Sequence, residues 1–190
     1  MRTFVSVNLD NSTLIILADI QNKLKERISF LNPKYLKFIK WEDKNKFHVT
    51  LFFIGETDVN KVNEAEQALT SMQSRSSRQE IKFELKGINA FPDLKYPRVL
   101  ILELINEDRI IFDLYQNIIN SFKTIGLISG KSFHPHITLG RIRRDKKLNL
   151  SGLNTDILNG INFSAGKFFL MESRLKSNGS EYSVIKSYNV

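Results

Sequence analysis

Apolar and polar residues alternate from Arg2 to Leu9, around Phe4, Val5 and Val7, which predicts a first strand because successive strand side chains point to opposite faces. The period then changes. Leu14, Leu17, Ile20, Leu24, Ile28 and Leu31 recur at helical spacing, so residues 13–31 read as an amphipathic helix that starts near Asn11-Ser12 and stops at Asn32-Pro33. Residues 34–45 form a lysine-rich connection with the only tryptophan, Trp41, and lead into Phe47 to Gly55, an apolar run closed by glycine that predicts a central strand. Val62, Ala65, Leu69 and Met72 mark a second helix before a polar loop from Ser74 to Arg78. Ile81 to Phe91 alternates, turns at Pro92-Asp93 and returns through Arg98 to Leu104 as a strand pair. Ile111, Leu114, Tyr115, Ile118 and Phe122 define a third helix, with Gly126 near its end. His136 to Ile142 reads as a strand, and Leu148 to Gly160 as a long connection holding a short helix. Phe163 to Leu175 and Tyr182 to Tyr188 predict a closing hairpin around Ser177-Asn178-Gly179-Ser180.

Strands and helices interleave, but the hairpins argue against a purely parallel sheet, so the expected class is α+β, built from two similar halves. A chain of 190 residues that is 42% hydrophobic can bury a substantial core as one domain or two closely packed lobes. The opening MRTFVSVNLDNS lacks a continuous apolar segment, and no stretch approaches the roughly 20 apolar residues a membrane span needs; a cytoplasmic protein without a membrane partner is the expectation. Cysteine is absent, which excludes disulfides, thiolate nucleophiles and cysteine-based zinc sites. The 28 basic and 20 acidic residues give a formal charge of +8, which favours a polyanionic partner such as nucleic acid. Part of that excess lies in the run Arg141 to Lys147, which has equally the composition of an ordinary solvated face.

The chain has three histidines, and two of them head nearly identical tetrapeptides, His48-Val49-Thr50-Leu51 and His136-Ile137-Thr138-Leu139, 88 residues apart and each preceded by a helix. On a strand, residues i and i+2 share a face, so His48 lies on the side of Thr50, and His136 on the side of Thr138, with the aliphatic residues behind. If a pseudo-two-fold relates the halves, the motifs converge on one groove with two imidazoles and two hydroxyls. Such a set suits in-line displacement at phosphorus. A neutral histidine can take a proton from water while a protonated one donates to the leaving oxygen, and threonine hydroxyls can donate to the non-bridging oxygens. One His-x-Thr alone arises by chance and is usually structural; the matched pair carries the reading.

At these residues the sequence resembles the 2H phosphoesterases, and among them the RNA 2′,3′-cyclic phosphodiesterases of the LigT/ThpR type. The resemblance covers most of the chain: Arg2 to Val7, Trp41 to Gly55, Pro97 to Leu100, Phe133-His134-Pro135-His136-Ile137-Thr138-Leu139-Gly140-Arg141, and Met171 to Ser173 through Gly179 and Tyr182. It implies a single bilobal domain over residues 1–190, with two βα lobes whose antiparallel sheets are related by a pseudo-two-fold around a central cleft. It also implies opening of an RNA 2′,3′-cyclic phosphate to a 2′-phosphate without a metal or other cofactor, with tRNA-derived ends as one candidate source. A bilobal cleft can work within one chain, so a monomer is expected. Carried over by position, His48 is the proton donor to the departing 3′ oxygen and His136 the base that activates water. Thr50 and Thr138 hold the phosphate, and Arg141 is the charged phosphate contact. The near-symmetry of the motifs gives no independent reason to choose acid from base.

Other residues have weaker claims. His134 shares strand parity with His136, but Pro135 disturbs the backbone there, and a peripheral role is expected. Arg98, Arg143 and Arg144 can meet RNA phosphates or simply be surface charge. Phe4, Phe47 and Phe133 can stack on a base, though with fourteen phenylalanines in the chain core packing is the expectation for each. Three alternatives differ in kind: 2′-5′ ligation or another cyclic nucleotide ester at the same site, an RNA- or nucleotide-binding module without turnover, and a metallohydrolase. The last has little support, since no H-x-x-x-H or H-x-D spacing occurs and neither motif contains a carboxylate.

Overall fold

The computed structural model describes residues 1–73, 80–128, 130, 132–153, 160–176 and 179–190. Among these, nine strands and three α-helices follow in the order β1 (Arg2–Asn8), α1 (Asn11–Leu31), β2 (Ile39–Trp41), β3 (His48–Glu56), α2 (Val59–Gln73), β4 (Ile81–Phe91), β5 (Val99–Ile105), α3 (Ile110–Lys123), β6 (His136–Ile142), β7 (Asn162–Ala165), β8 (Lys167–Lys176) and β9 (Gly179–Asn189). The expected polar loop at 74–78, part of the connection after Leu148 and the first two residues of the 177–180 turn lie outside the described residues.

These strands belong to one sheet, ordered β7-β4-β5-β6-β3-β1-β8-β9, with β2 added against β6. Every pairing is antiparallel. Read outward from the middle, β6-β5-β4-β7 mirrors β3-β1-β8-β9, so the two similar halves expected from sequence are present. They join at a single described pair, Val49 opposite Ile137. The sheet is strongly curled. Only Gly166 separates β7, at one edge, from β8, near the other, and a single residue can span no more than a few ångströms of backbone.

Helices cover the back of the sheet. Asp10 caps α1 by accepting from the Thr13 amide at 2.7 Å, one residue before the expected start. Leu17, Ile20, Leu24 and Ile28 form its buried face. Gln21 is also buried, because its amide donates to the carbonyls of Glu42 at 2.8 Å and Leu139 at 2.9 Å. On α3, Ile111, Leu114, Ile118 and Phe122 are buried, and Phe122 meets Phe52 of β3 edge-on at 5.0 Å. Val62, Ala65 and Leu69 do the same for α2.

Two expectations are corrected. Residues 34–45 are more than a connection: Pro33–Phe38 forms a 3-10 helix, with the Asn32 side chain accepting from the Lys34 amide, and β2 follows. A run of three residues lies below the length at which periodicity speaks. Phe163 to Leu175 is two strands, because the chain leaves β4 at Gly166 to cross to the other half.

Candidate active site

β3 and β6 present the same exposure pattern over their first six residues, alternating half-buried and buried and then breaking step so that the sixth is exposed. The break is a β-bulge in each strand. Against β1, Val5 faces Phe52 and Ser6 faces Thr50, leaving Leu51 as the extra residue; against β5, Leu100 faces Gly140 and Ile101 faces Thr138, leaving Leu139. A bulge inverts the parity of everything beyond it. His48 and Thr50 therefore share a face with Phe53, and His136 and Thr138 share one with Arg141. At Leu139 the freed carbonyl accepts from Gln21 and from the Glu42 amide, the latter at 2.9 Å, which holds the bulge from behind.

The two faces enclose a cleft of about 1090 Å³ lined by both histidines, both threonines, Arg141 and Phe53. Each imidazole is fixed in the same way. His48 Nδ1 lies 2.7 Å from the Lys46 carbonyl, and His136 Nδ1 lies 2.7 Å from the His134 carbonyl. A carbonyl only accepts, so both rings carry hydrogen on Nδ1 and work through Nε2. His48 Nε2 lies 3.0 Å from the Thr50 hydroxyl, which donates to it while the ring is neutral. Aromatic rings buttress both: Phe4 at 5.2 Å and Tyr182 at 5.5 Å beside His48, and Phe91 edge-on at 5.0 Å beside His136.

Burial holds the His48 imidazole below its ordinary 6.5, against the opposing pull of the Lys46 carbonyl and with help from the positive charges of His136 and Arg141. Burial does the same to His136, opposed by the His134 carbonyl and reinforced by Arg141. Both are therefore neutral near pH 7, and an anion placed between them favours return of one proton. Burial and the Glu42 carboxylate raise the Tyr182 phenol above its usual value, so it is a hydrogen-bond donor there.

The remaining candidates sort themselves by position. Arg141 is exposed on the cleft face and forms no ion pair among the described residues. His134 contributes its carbonyl; its exposed ring lies against the Ser132 hydroxyl at 3.2 Å. Arg98 donates to the carbonyls of Arg144 and Lys146, both at 3.3 Å, and so braces the loop after β6. Phe47 is core, 3% exposed. Phe4 is buried yet lines the cleft, and Phe133 stacks on Tyr115 at 4.3 Å on the cleft wall. Phe53, 68% exposed, and Phe91 were not singled out from sequence. For Phe53 a signal existed, since it follows His48 at the same distance as Arg141 follows His136. Among the described residues, no three or more His, Asp or Glu side chains are grouped to hold a metal ion, and no helix is long and apolar enough to cross a membrane.

Residues 3–176 match the family model described as AKAP7 2'5' RNA ligase-like domain. The chain is 29% identical over 179 residues to the RNA 2',3'-cyclic phosphodiesterase of Methanocaldococcus jannaschii, covering 92% of this chain and 99% of that one. It is 31% identical over 147 residues to the Thermotoga maritima protein of the same name, covering 75% and 71%. Among solved structures, TT0787 of Thermus thermophilus superposes with a TM-score of 0.77 at 24% identity over 100% of this chain and 97% of that one. E. coli LigT in apo form gives 0.69 at 20% identity, over 99% and 96%, and LigT has also been solved complexed with 3'-AMP. These structures share the fold.

Proposed function

Because the chain belongs to the AKAP7 2'5' RNA ligase-like domain family of 2H phosphoesterases, we propose that it hydrolyses RNA 2′,3′-cyclic phosphodiester ends to 2′-phosphomonoesters, with His48 as acid and His136 as base. The observation that carries this reading is the common fixing of both rings, Nδ1 on a backbone carbonyl and Nε2 toward one cleft. His136 Nε2 takes a proton from water as its oxygen bonds to phosphorus. The bond from phosphorus to the 3′ oxygen breaks, and His48 Nε2, protonated once the anionic substrate is bound, gives its proton to that oxygen. Thr50, Thr138 and Arg141 donate to the non-bridging oxygens as charge gathers there. The reaction takes all its groups from one chain and uses no metal, so a monomer suffices.

Register supports the direction. With Val49 opposite Ile137 in antiparallel strands, His48 is level with Thr138, toward the Arg141 end of the cleft, and Thr50 is level with His136, toward the Phe53 end. In a ribose 2′,3′-cyclic phosphate the base hangs from C1′, beside C2′, and the 5′ carbon from C4′, beside C3′. A base resting on the exposed Phe53 ring turns the 2′ oxygen toward His136 and the 3′ oxygen toward His48. His48 is then the ring nearest the leaving group.

The test is incubation with a short RNA ending in a 2′,3′-cyclic phosphate, with the product isomer identified by phosphorus NMR. A 2′-phosphate supports the mechanism. A 3′-phosphate would reverse the leaving group, and no turnover would leave a binding module as the better account.

A further inference from the structure

We infer that the Arg141 end of the cleft is a strand-binding subsite, where Lys40 and Lys46 hold phosphates 5′ to the reacting nucleotide. The preferred substrate is thus the 3′ end of an oligonucleotide and not a free nucleoside 2′,3′-cyclic phosphate. This rests on the cyclic phosphodiester reading above.

Lys40 sits directly opposite Arg141 in the pairing of β2 with β6, and opposite residues of an antiparallel pair stand on one face. Its stem therefore rises beside Arg141 at the rim of the cleft, just outside the residues that line it. Its ammonium reaches within 3.6 Å of where a Cβ on Gly179 would stand, at the start of β9, whose Ser180 and Tyr182 line the cleft. Lys46 lines the same end from the His48 side. Among the described residues neither lysine has a carboxylate within 4 Å. Two acids share this mouth: Glu42 lines it, and Glu181, held by Lys176 at 2.5 Å, also feels the charge of Lys46, so three cations, Lys40, Lys46 and Arg141, stand there against two carboxylates.

The opposite mouth has a different character. Phe53, Ile128 and Phe133 line it, and Arg2, its lysine or arginine among the described residues, is paired with Glu56 at 2.8 Å. Ribose geometry links the two ends. Base and 5′ carbon leave the ring on opposite sides of the 2′,3′ edge, so a base toward Phe53 sends the 5′ strand toward Lys40 and Lys46. A nucleoside cyclic phosphate has no phosphate to place there.

The experiment compares wild type with Lys40→Glu and Lys40→Met on two substrates, a nucleoside 2′,3′-cyclic phosphate and a pentanucleotide with the same terminus. Wild type is expected to favour the pentanucleotide, and both variants to lose about fivefold in kcat/KM on it through KM, with Glu the worse. On the nucleoside Lys40→Met should match wild type, whereas Lys40→Glu sets a carboxylate opposite Arg141 and is expected to lose activity on both substrates. The slope of log kcat/KM against log salt on the pentanucleotide should fall by about 0.7 in Lys40→Met, as one phosphate contact is lost. Equal use of both substrates by wild type, or an unchanged pentanucleotide preference and salt slope in Lys40→Met, overturns the subsite while leaving the hydrolysis reading intact. Turnover of neither substrate by wild type overturns both.

Discussion

Phe53 and Arg141 occupy the same position in the two halves of the sheet, each five residues beyond a cleft histidine and each turned onto that histidine's face by a bulge at the intervening leucine. The antiparallel seam nevertheless sets them at opposite ends of the cleft. The pseudo-symmetry is thus broken chemically, with a flat apolar ring at one end and a guanidinium at the other. Arg141→Ala is expected to lower kcat about 100-fold by removing charge stabilisation in the transition state. Arg141→Lys should restore only part of this, since a point charge does not reproduce the planar fork. Phe53→Ala should instead raise KM about tenfold with kcat nearly unchanged, because a stacked base binds ground and transition state alike. Steady-state kinetics separate the two, and a kcat defect in Phe53→Ala would count against the base platform.

The pH dependence follows from burial. Both imidazoles titrate below 6.5 in the free protein, and the productive form has one of them protonated. The profile of kcat/KM is therefore expected to be a bell centred below pH 6.5, while that of kcat shifts upward once the substrate anion stabilises the imidazolium. Stability has a definite sign as well. The unfolded chain takes up these protons at higher pH than the folded one, so stability falls as pH drops from 6.5 through the lowered values. Thermal unfolding at about pH 7.5 and about pH 5 should show a smaller difference in His136→Phe than in wild type.

The histidines themselves give the sharpest test. His48→Ala and His136→Ala are each expected to lower kcat by about 10²–10⁴-fold on a cyclic-phosphate RNA. The double variant should lose less than the product of the two, because the rings act as a pair. EDTA should leave the wild-type rate unchanged. Full activity in either single variant would rule out the two-histidine mechanism, and inhibition by EDTA restored by a divalent cation would demand a metal.

Sequence carried the helices because α1 and α3 repeat buried residues over several turns, and it carried the histidine strands because parity needs only neighbouring residues. Parity also failed there. Counting from His136 puts Arg141 on the opposite face, and only the resemblance to known phosphoesterases assigned it to the phosphate. The bulge at Leu139 that brings it round is held by Gln21, on a helix 118 residues away, a contact no local pattern announces. Phe53 was missed for the same reason. His134 shows the converse, since the useful group is its carbonyl, which any residue would supply. β2 could not be read because its three residues are held by the edge of β6 and not by their own alternation.

That dependence on β6 makes Gly140 a point of vulnerability. Gly140 faces Trp41 in the pairing, and a Cβ there would stand 3.0 Å from Ile39 Cγ2, 3.2 Å from Trp41 Cε3 and 3.3 Å from the Lys40 carbonyl oxygen. The first two belong to side chains that can yield slightly; the third is backbone, so β2 itself has to move away from β6. Gly140→Ala is therefore expected to destabilise the protein by about 1–3 kcal/mol, the usual range for added atoms in a packed site, and Gly140→Val by more. Displacing β2 also displaces Lys40 from beside Arg141, so the alanine variant should lose more kcat/KM on a pentanucleotide than on a nucleoside cyclic phosphate. Denaturant unfolding measures the first effect and the substrate pair the second. Stability within about 0.5 kcal/mol of wild type, the scatter of ordinary surface substitutions, would mean that β2 is not held against β6 as described.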